Sequence, residues 1–230
     1  MSAGRLGIVI ARSGSKGLPD KNIKDLCGKP LMAYSILAAK DSGCFTKTMV
    51  STDSRVYAGI AESYGAEVPF LRSDSTASDH ADKWEVVREV LDRYAERGEH
   101  FDDVCVLQPT SPFRRPEDIQ NAYRIFDEKS ANAVVSVCAC EHPPVWSGRL
   151  GADGNMDDFN RPEMFTPRQQ LGEYYQLNGA IFIAQTKIVY AGTSIYESKC
   201  FAYIMEREQS IDIDSERDFR IAAIMMQDLC

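Results

Sequence analysis

The sequence predicts an α/β domain built on a doubly wound, mainly parallel sheet. Two observations carry that prediction. Short apolar runs alternate with amphipathic helical stretches over the first 137 residues, the pattern of right-handed crossovers that cover both faces of a sheet. One of those runs, Val104 to Leu107, is continuously apolar, as a strand buried on both faces must be. In such sheets ligands sit at the carboxyl ends of the strands, so the loops after Ala11, Ser51, Leu71 and Leu107 are expected to share one site.

The elements follow in order. Ile8 to Ala11 is the first strand, and it stops abruptly at a polar loop holding Gly14 and Gly17. Pro30 to Lys40 has helical composition, with Pro30 suited to the first turn and Gly43 beyond the end. Thr48 to Ser51 is a strand, Ser54 to Tyr64 a helix ended by Gly65, and Val68 to Leu71 a short third strand. After a polar loop, Trp84, Val87, Leu91 and Tyr94 mark one face of a helix spanning 83–97. The strand Val104 to Leu107 is followed by a helix opened by Pro116, Glu117 and Asp118, with acids where the helix dipole favours them. Ala133 to Val137 is the fifth strand. Between Glu141 and Gly172 periodicity is lost. So long an irregular stretch in a compact domain implies a function of its own, such as a flap or an oligomer arm. The fold resumes with Gly179 to Ala184 and a strand at 200–205, and Ser215 with Asp218 resembles a capping box opening a last helix, 216–229.

The 230 residues, 44% of them apolar, suffice for a sizeable core. No run approaches the roughly 20 apolar residues of a membrane span, and the start of the chain reaches a polar loop too soon for a signal peptide, so a soluble cytoplasmic protein is expected. Seven scattered cysteines suit reduced thiols better than a disulfide framework. Cys138 and Cys140, two apart on a predicted strand and so on one face, read as packing, since no second cysteine pair or histidine cluster supports a metal site. His80, His100 and His142 have no spacing that suggests a triad. A net charge of −8 argues against nucleic-acid binding.

The distribution of charge is more informative. Residues 1–30 hold six Lys or Arg against two acids, while 206–218 hold six acids against two Arg. A basic loop and an acidic loop in one acidic protein point to an anionic ligand with a divalent cation between them. Arg12, Lys16 and Lys21 lie on a glycine-permissive loop just past a buried strand, which suits a polyphosphate, because backbone N–H groups can approach closely while fixed charge offsets the oxygens. The loop has neither a dinucleotide fingerprint nor a P-loop, and a solvated turn is its bland reading. Ile211-Asp212-Ile213-Asp214 alternates apolar and acidic residues, so an extended backbone puts both carboxylates on one face. Paired carboxylates repel unless a cation joins them, and oxygen ligands beside a triphosphate mean Mg²⁺. A solvent-facing edge strand is the alternative. Asp53 is a weaker ligand and is expected to share a helix N-terminus with Ser54. Gln108, Thr110 and Ser111, held stiffly by Pro109 and Pro112, offer neutral groups that can read sugar hydroxyls or a base edge, although a simple turn explains the prolines equally well. An arginine such as Arg168 can pair with a carboxylate substrate through two hydrogen bonds.

Together, ARSGSKGLPDKN (11–22), VSTD (50–53), LQPTSPFR (107–114), PRQQ (167–170), LNGAIFI (177–183) and SIDID (210–214) resemble the acylneuraminate cytidylyltransferases over nearly the whole chain. The resemblance implies one Rossmann-like nucleotidyltransferase domain over 1–230, of the nucleotide-diphospho-sugar transferase type. Within it, 141–172 would be a dimerisation insertion that makes the protein a homodimer. The implied reaction transfers CMP from CTP to the anomeric hydroxyl of a nine-carbon acidic sugar, releasing pyrophosphate. The implied nucleotide site is Ala11, Arg12, Lys16, Lys21, Asn22, Arg72, Asp79 and Gln108. Gln108, Thr110, Ser111, Arg168, Gln176, Asn178 and Phe182 would line the sugar site, and Asp212 and Asp214 would hold Mg²⁺. Arg12, Lys21, Arg168 and the two aspartates form the expected catalytic set. Departures from the family pattern at Lys83, Trp146 and Gln176 leave the sugar open, with legionaminate, pseudaminate and an eight-carbon octulosonate as alternatives and a non-catalytic nucleotide-sugar sensor as the non-enzyme reading.

Overall fold

A computed structural model describes residues 4–15, 17–77 and 82–227; of Arg168 only the backbone is described. Lys16, Asp79 and His80 therefore lie outside the described residues, as does the side chain of Arg168. The central sheet contains β1 (Arg5–Ile10), β4 (Lys47–Ser51), β5 (Asp103–Leu107), β6 (Ala133–Ala139), β7 (Tyr175–Gln185) and β8 (Cys200–Ile204), in the order β4-β1-β5-β7-β6-β8. β1 lies parallel to both neighbours, and β6 is parallel to β8. β7 runs antiparallel between β5 and β6, a direction that an apolar run such as GAIFIA does not encode. A two-strand ribbon, β2 (Asp25–Leu26) with β3 (Lys29–Pro30), closes the first long loop.

Helices cover both faces. α1 (Leu31–Ser42), α2 (Arg55–Ser63) and α5 (Pro116–Glu128) pack on one side, where Met32, Ile36, Tyr57, Ile119 and Tyr123 meet Val9, Val50, Cys105 and Leu107. The short α3 (Asp74–Ala77) leads into α4 (Lys83–Ala95), which with α6 (Thr186–Ala191) covers the other side, burying Val87, Leu91, Tyr94 and Val189 against Ile8, Val106 and Phe182. The alternation of Ile8 and Val9 between these cores is the two-residue period of a strand. Pro30 precedes the first turn of α1 and Gly43 closes it in a left-handed conformation. Ser54 caps α2, and Ser215 with Asp218 forms the expected capping box at the start of α7 (Glu216–Gln227).

The third expected strand is corrected. Residues 68–71 form no strand; only an isolated bridge pairs Glu67 with Met49. Pro69 has no N–H to continue the ladder, so the chain leaves the sheet and Arg72 hydrogen-bonds back to Thr52. Residues 141–172 form four short 3-10 turns, most of their side chains exposed. The six described cysteines are unpaired thiols. Among the described residues no helix is long and apolar enough to cross a membrane.

Candidate active site at the carboxyl ends of β1 and β5

The chain steps from β1 outward to β4 and then back to β5 on the other side. That reversal opens a crevice at the carboxyl ends of β1 and β5. A cavity of about 670 Å³ occupies it. Arg12, Gly17, Lys21 and Asn22 line one wall, Gln108 and Thr110 a second, and Asp212 with Asp214 a third; Arg72, Thr76 and Lys83 close the remaining side. The loops after Ala11 and Leu107 thus meet as the strand order requires, and the acidic segment from the far end of the chain joins them.

A third apolar cluster makes that meeting durable. Leu18 from the basic loop and Ile213 from the acidic segment are buried together with Leu26, Leu31, Phe113 and Phe219. Ile213 is fully buried while Asp212 and Asp214 point outward, so the alternation in sequence sets the carboxylates on one side. The segment is extended without being a sheet strand; Ile213 N–H donates to the Thr110 carbonyl at 2.9 Å. Gly17 is needed for close approach, because a Cβ there would lie 2.7 Å from the Asp214 carbonyl oxygen. Lys21 Nζ then donates to the Ile213 carbonyl at 3.0 Å and to Asp214 Oδ1 at 2.9 Å. The basic and acidic loops are therefore one assembly.

The nucleotide-side residues are held from beneath. Asn22 is buried and its Nδ2 donates to the Arg12 carbonyl at 3.0 Å, shaping the loop that carries Arg12. Ala11 is fully buried, its N–H bonded to Ser51. Arg72 is buried against Ser51, donating to its carbonyl at 2.8 Å and its Oγ at 3.2 Å. Burial pushes the Arg72 pKa down to about 10, with Asp53 and Glu89 opposing. Asp53 does not share the α2 cap. It accepts from Ser13 N–H at 2.7 Å and Ser13 Oγ at 2.6 Å, bracing the basic loop instead. Burial would raise its pKa, but the Ser13 hydrogen bonds and the Arg72 charge prevail and hold it below the ordinary carboxylate value.

Asp212 differs. Although the residue as a whole is exposed, crowding of its carboxylate by the surrounding protein raises its pKa and the neighbouring Asp214 charge adds to that, outweighing a hydrogen bond from Thr110 and the charge of Lys21. Two adjacent carboxylates, one of them costly to ionise, are a fitting pair for a hard divalent cation. No cluster of three acidic, histidine or cysteine ligands exists among the described residues, so further oxygens would have to come from phosphate and water, the usual habit of Mg²⁺.

The expected sugar-side residues are less closely gathered. Gln108 and Thr110 line the cavity. Ser111 is fully buried and does not line it. Asn178 is buried with its amide committed, accepting from Ser136 Oγ at 2.6 Å and Ala180 N–H at 3.2 Å and donating to Ser210 Oγ at 2.9 Å. Phe182 is buried in the core beneath Lys83. Gln176 is exposed on β7. Ser111, Gln176, Asn178 and Phe182, expected on the sugar side, do not line this cavity.

A family profile described as cytidylyltransferase matches residues 6–219. The chain belongs to the cytidylyltransferase family. It is 38% identical to the CMP-N,N'-diacetyllegionaminic acid synthase of Legionella pneumophila, over 96% of both chains. It is 37% identical to the N-acylneuraminate cytidylyltransferase of Escherichia coli over 96% of its own length, spanning about half (52%) of that relative. A solved CMP:2-keto-3-deoxy-manno-octonic acid synthetase in complex with CTP superposes with a TM-score of 0.74 over 98% of this chain and all of that one, at 15% identity, a likeness of fold.

Four residues, Asp53, Ser136, Arg114 and Lys83, were given no positioning role in the sequence reading of this cytidylyltransferase. Beyond Asp53, Ser136 stabilises a bulge in β7, accepting from Ile181 N–H at 2.8 Å. The bulge puts Gly179 (φ +75°) against Gln108, whose Oε1 would lie 2.5 Å from a Cβ at that position. Arg114, buried, clamps the same place by donating to the Ala180 carbonyl at 2.7 Å, the Gln108 carbonyl at 3.3 Å and Ser35 Oγ. Its presence in LQPTSPFR was the available signal. The fourth residue is Lys83, which was noted only as a departure from the family. It lines the cavity with its ammonium 3.3 Å from the centre of the Phe182 ring, and burial lowers its pKa.

Proposed function

We propose that this cytidylyltransferase transfers CMP from CTP to the anomeric hydroxyl of a nine-carbon acidic sugar, forming CMP-sugar and pyrophosphate, with Mg²⁺ as cofactor. The observation that carries the reading is the joining of the basic loop to the acidic pair through Gly17, Lys21 and Asp214 in one cavity. Arg12 and Lys21, with Lys16 from the sequence, would neutralise the triphosphate, so catalysis is mainly positioning and electrostatics. Asp212 and Asp214 would hold Mg²⁺, which when bound supplies Lewis-acid stabilisation of phosphate charge. Gln108 and Thr110 would orient the incoming hydroxyl, and Arg168 would pair with the sugar carboxylate. The relatives named for diacetyllegionaminic and N-acylneuraminic acids support a nine-carbon acid as the acceptor class.

The protein would act as a homodimer. Val137, Leu177 and Ile204 form one rung across β7, β6 and β8, and Leu177 and Ile204 are each more than half exposed, as is Phe165 in the neighbouring irregular segment. Exposed apolar side chains on the rung and in the irregular segment suit burial against a second copy of the chain.

The test is a panel: CTP and Mg²⁺ with N-acetylneuraminate, N,N'-diacetyllegionaminate, pseudaminate and 3-deoxy-octulosonate, following CMP-sugar and pyrophosphate. Turnover of a nine-carbon acid well above that of the octulosonate is expected; equal or faster turnover of the eight-carbon sugar overturns the acceptor class.

A further inference from the structure

Asp218 is engaged beyond what the start of α7 requires. Its Oδ2 accepts three hydrogen bonds, from Ser215 Oγ at 2.7 Å, Ser215 N–H at 2.8 Å and Asp214 N–H at 3.2 Å. A capping box needs only the reach back to the cap residue, here Ser215. The bond from Asp214 passes beyond the cap to one of the two carboxylate-bearing residues of the cavity, and the reaction as described gives it no use.

Asp214 stands where the extended segment turns into α7, and its side chain is 76% exposed, meeting Lys21 at 2.9 Å. Packing therefore does little to aim it, and its direction is left to the backbone. The two peptide planes that flank a Cα fix where its side chain leaves the chain, and at Asp214 each plane is held at both edges. The peptide between Ile213 and Asp214 has its carbonyl on Lys21 Nζ at 3.0 Å and its N–H on Asp218. The peptide between Asp214 and Ser215 has its carbonyl packed against Gly17 and its N–H on Asp218. Both N–H groups end on one carboxylate oxygen.

We infer that Asp218 is a positioning residue: by gathering the N–H groups on either side of Asp214, it fixes the Asp214 carboxylate beside that of Asp212. The inference rests on the proposed binding of Mg²⁺ by those two aspartates. It does not make Asp218 a third ligand, since no cluster of three acidic, histidine or cysteine ligands exists among the described residues. Groups that orient metal ligands matter by about ten- to a hundredfold in affinity. A residue of this kind acts through the place of its acceptor oxygen and not through its charge. An asparagine, whose amide oxygen accepts at the same reach, should therefore serve nearly as well, and a glutamate, whose oxygens lie one methylene further out, should not.

Calorimetric titration of CTP with and without Mg²⁺ tests this in the wild-type protein and in Asp218→Ala, Asp218→Asn, Asp218→Glu and Glu216→Ala, with melting curves as a check on folding. Glu216→Ala removes another acid from the first turn of α7, one paired with Lys24 at 2.8 Å, and so controls for helix stability alone. The quantity read is the factor by which Mg²⁺ tightens CTP binding. It should fall roughly tenfold or more in Asp218→Ala and Asp218→Glu, with affinity for CTP alone unaltered, and stay near the wild-type value in Asp218→Asn and Glu216→Ala. The Asn and Glu variants decide the matter even where Asp218→Ala fails to fold. Loss in Asp218→Asn with retention in Asp218→Glu would show that Asp218 acts through its charge and overturn the inference, as would an equal loss in Glu216→Ala. Unaltered tightening in the three Asp218 variants, with loss in Asp212→Asn/Asp214→Asn, would overturn it and leave the metal reading standing. Unaltered tightening in that double variant would overturn both.

Discussion

The nucleotide side of the cavity and the stretch from residue 141 to 177 are organised in opposite ways. On the nucleotide side the polar residues have partners within the chain: Asp53 with Ser13, Asn22 with the Arg12 carbonyl, Arg72 with Ser51 and Lys21 with Asp214. In the second region most side chains face solvent, and its apolar residues include Phe165, Tyr175 and Leu177, all exposed. The difference teaches that one chain suffices to shape a triphosphate site, because preorganised charge must be held rigidly to be useful. On the proposed reading the acceptor end would draw on residues for which the same chain provides little support, and a second copy would complete it.

The comparison is sharpened most by Gly17→Ala. A methyl group 2.7 Å from the Asp214 carbonyl must part the two loops, and turnover should fall by about 100-fold, the scale of a displacement of roughly 1 Å in a reacting site. Steady-state kinetics with a melting curve checks this, and a loss of stability without loss of turnover would break the account. The next effect belongs to the arm. Leu177→Asp places a charge on the exposed rung and should shift the protein to monomer at micromolar concentration. It should raise KM for the acceptor more than for CTP, as seen by analytical ultracentrifugation and two-substrate kinetics. A monomer with unchanged acceptor KM would show that the arm serves assembly alone.

Asp53→Asn should act on the nucleotide side only. Loss of charged acceptors for Ser13 should weaken CTP binding by about tenfold, with acceptor KM unaltered. The smallest effect is on stability. Crowding by the surrounding protein and the charge of Asp214 raise the folded-state pKa of Asp212, so its stabilising contribution is present below the ordinary carboxylate pKa and lost as pH rises through the raised value. Asp212→Asn should therefore melt higher than wild type at pH 7 and lose that advantage near pH 3.5, even as it disables the site. Asp53 has the opposite sign. Its pKa is depressed, so its contribution is present above the ordinary value and lost as pH falls through the folded one.

Much of this was legible in the sequence because it depends on local pattern. The period of two in Ile211 to Asp214 fixed which residues turn inward, and the charge asymmetry between the ends of the chain pointed to a joined site. What could not be read depends on contacts distant in sequence. Asp53 sits beside a competent helix cap, and nothing local indicates that its side chain crosses to Ser13. Ser136, Asn178 and Arg114 act on a bulge in β7, and neither the bulge nor the antiparallel direction of that strand is encoded in an apolar run. Asn178 carries an amide hydrogen-bonded within the fold to Ser136 and Ser210, contacts that no local pattern announces. Pro69 was the overlooked local signal against a strand at 68–71.

The most direct test of the central claim is the dependence of CTP affinity on Mg²⁺ in the wild-type protein and in the double variant Asp212→Asn/Asp214→Asn. The account predicts that Mg²⁺ tightens CTP binding in the wild type and not in the variant, with Lys21→Ala weakening CTP whether or not Mg²⁺ is present. Equal tightening by Mg²⁺ in both proteins would contradict it, because the cation would then be held by the nucleotide alone and the acidic pair would have no part in the site.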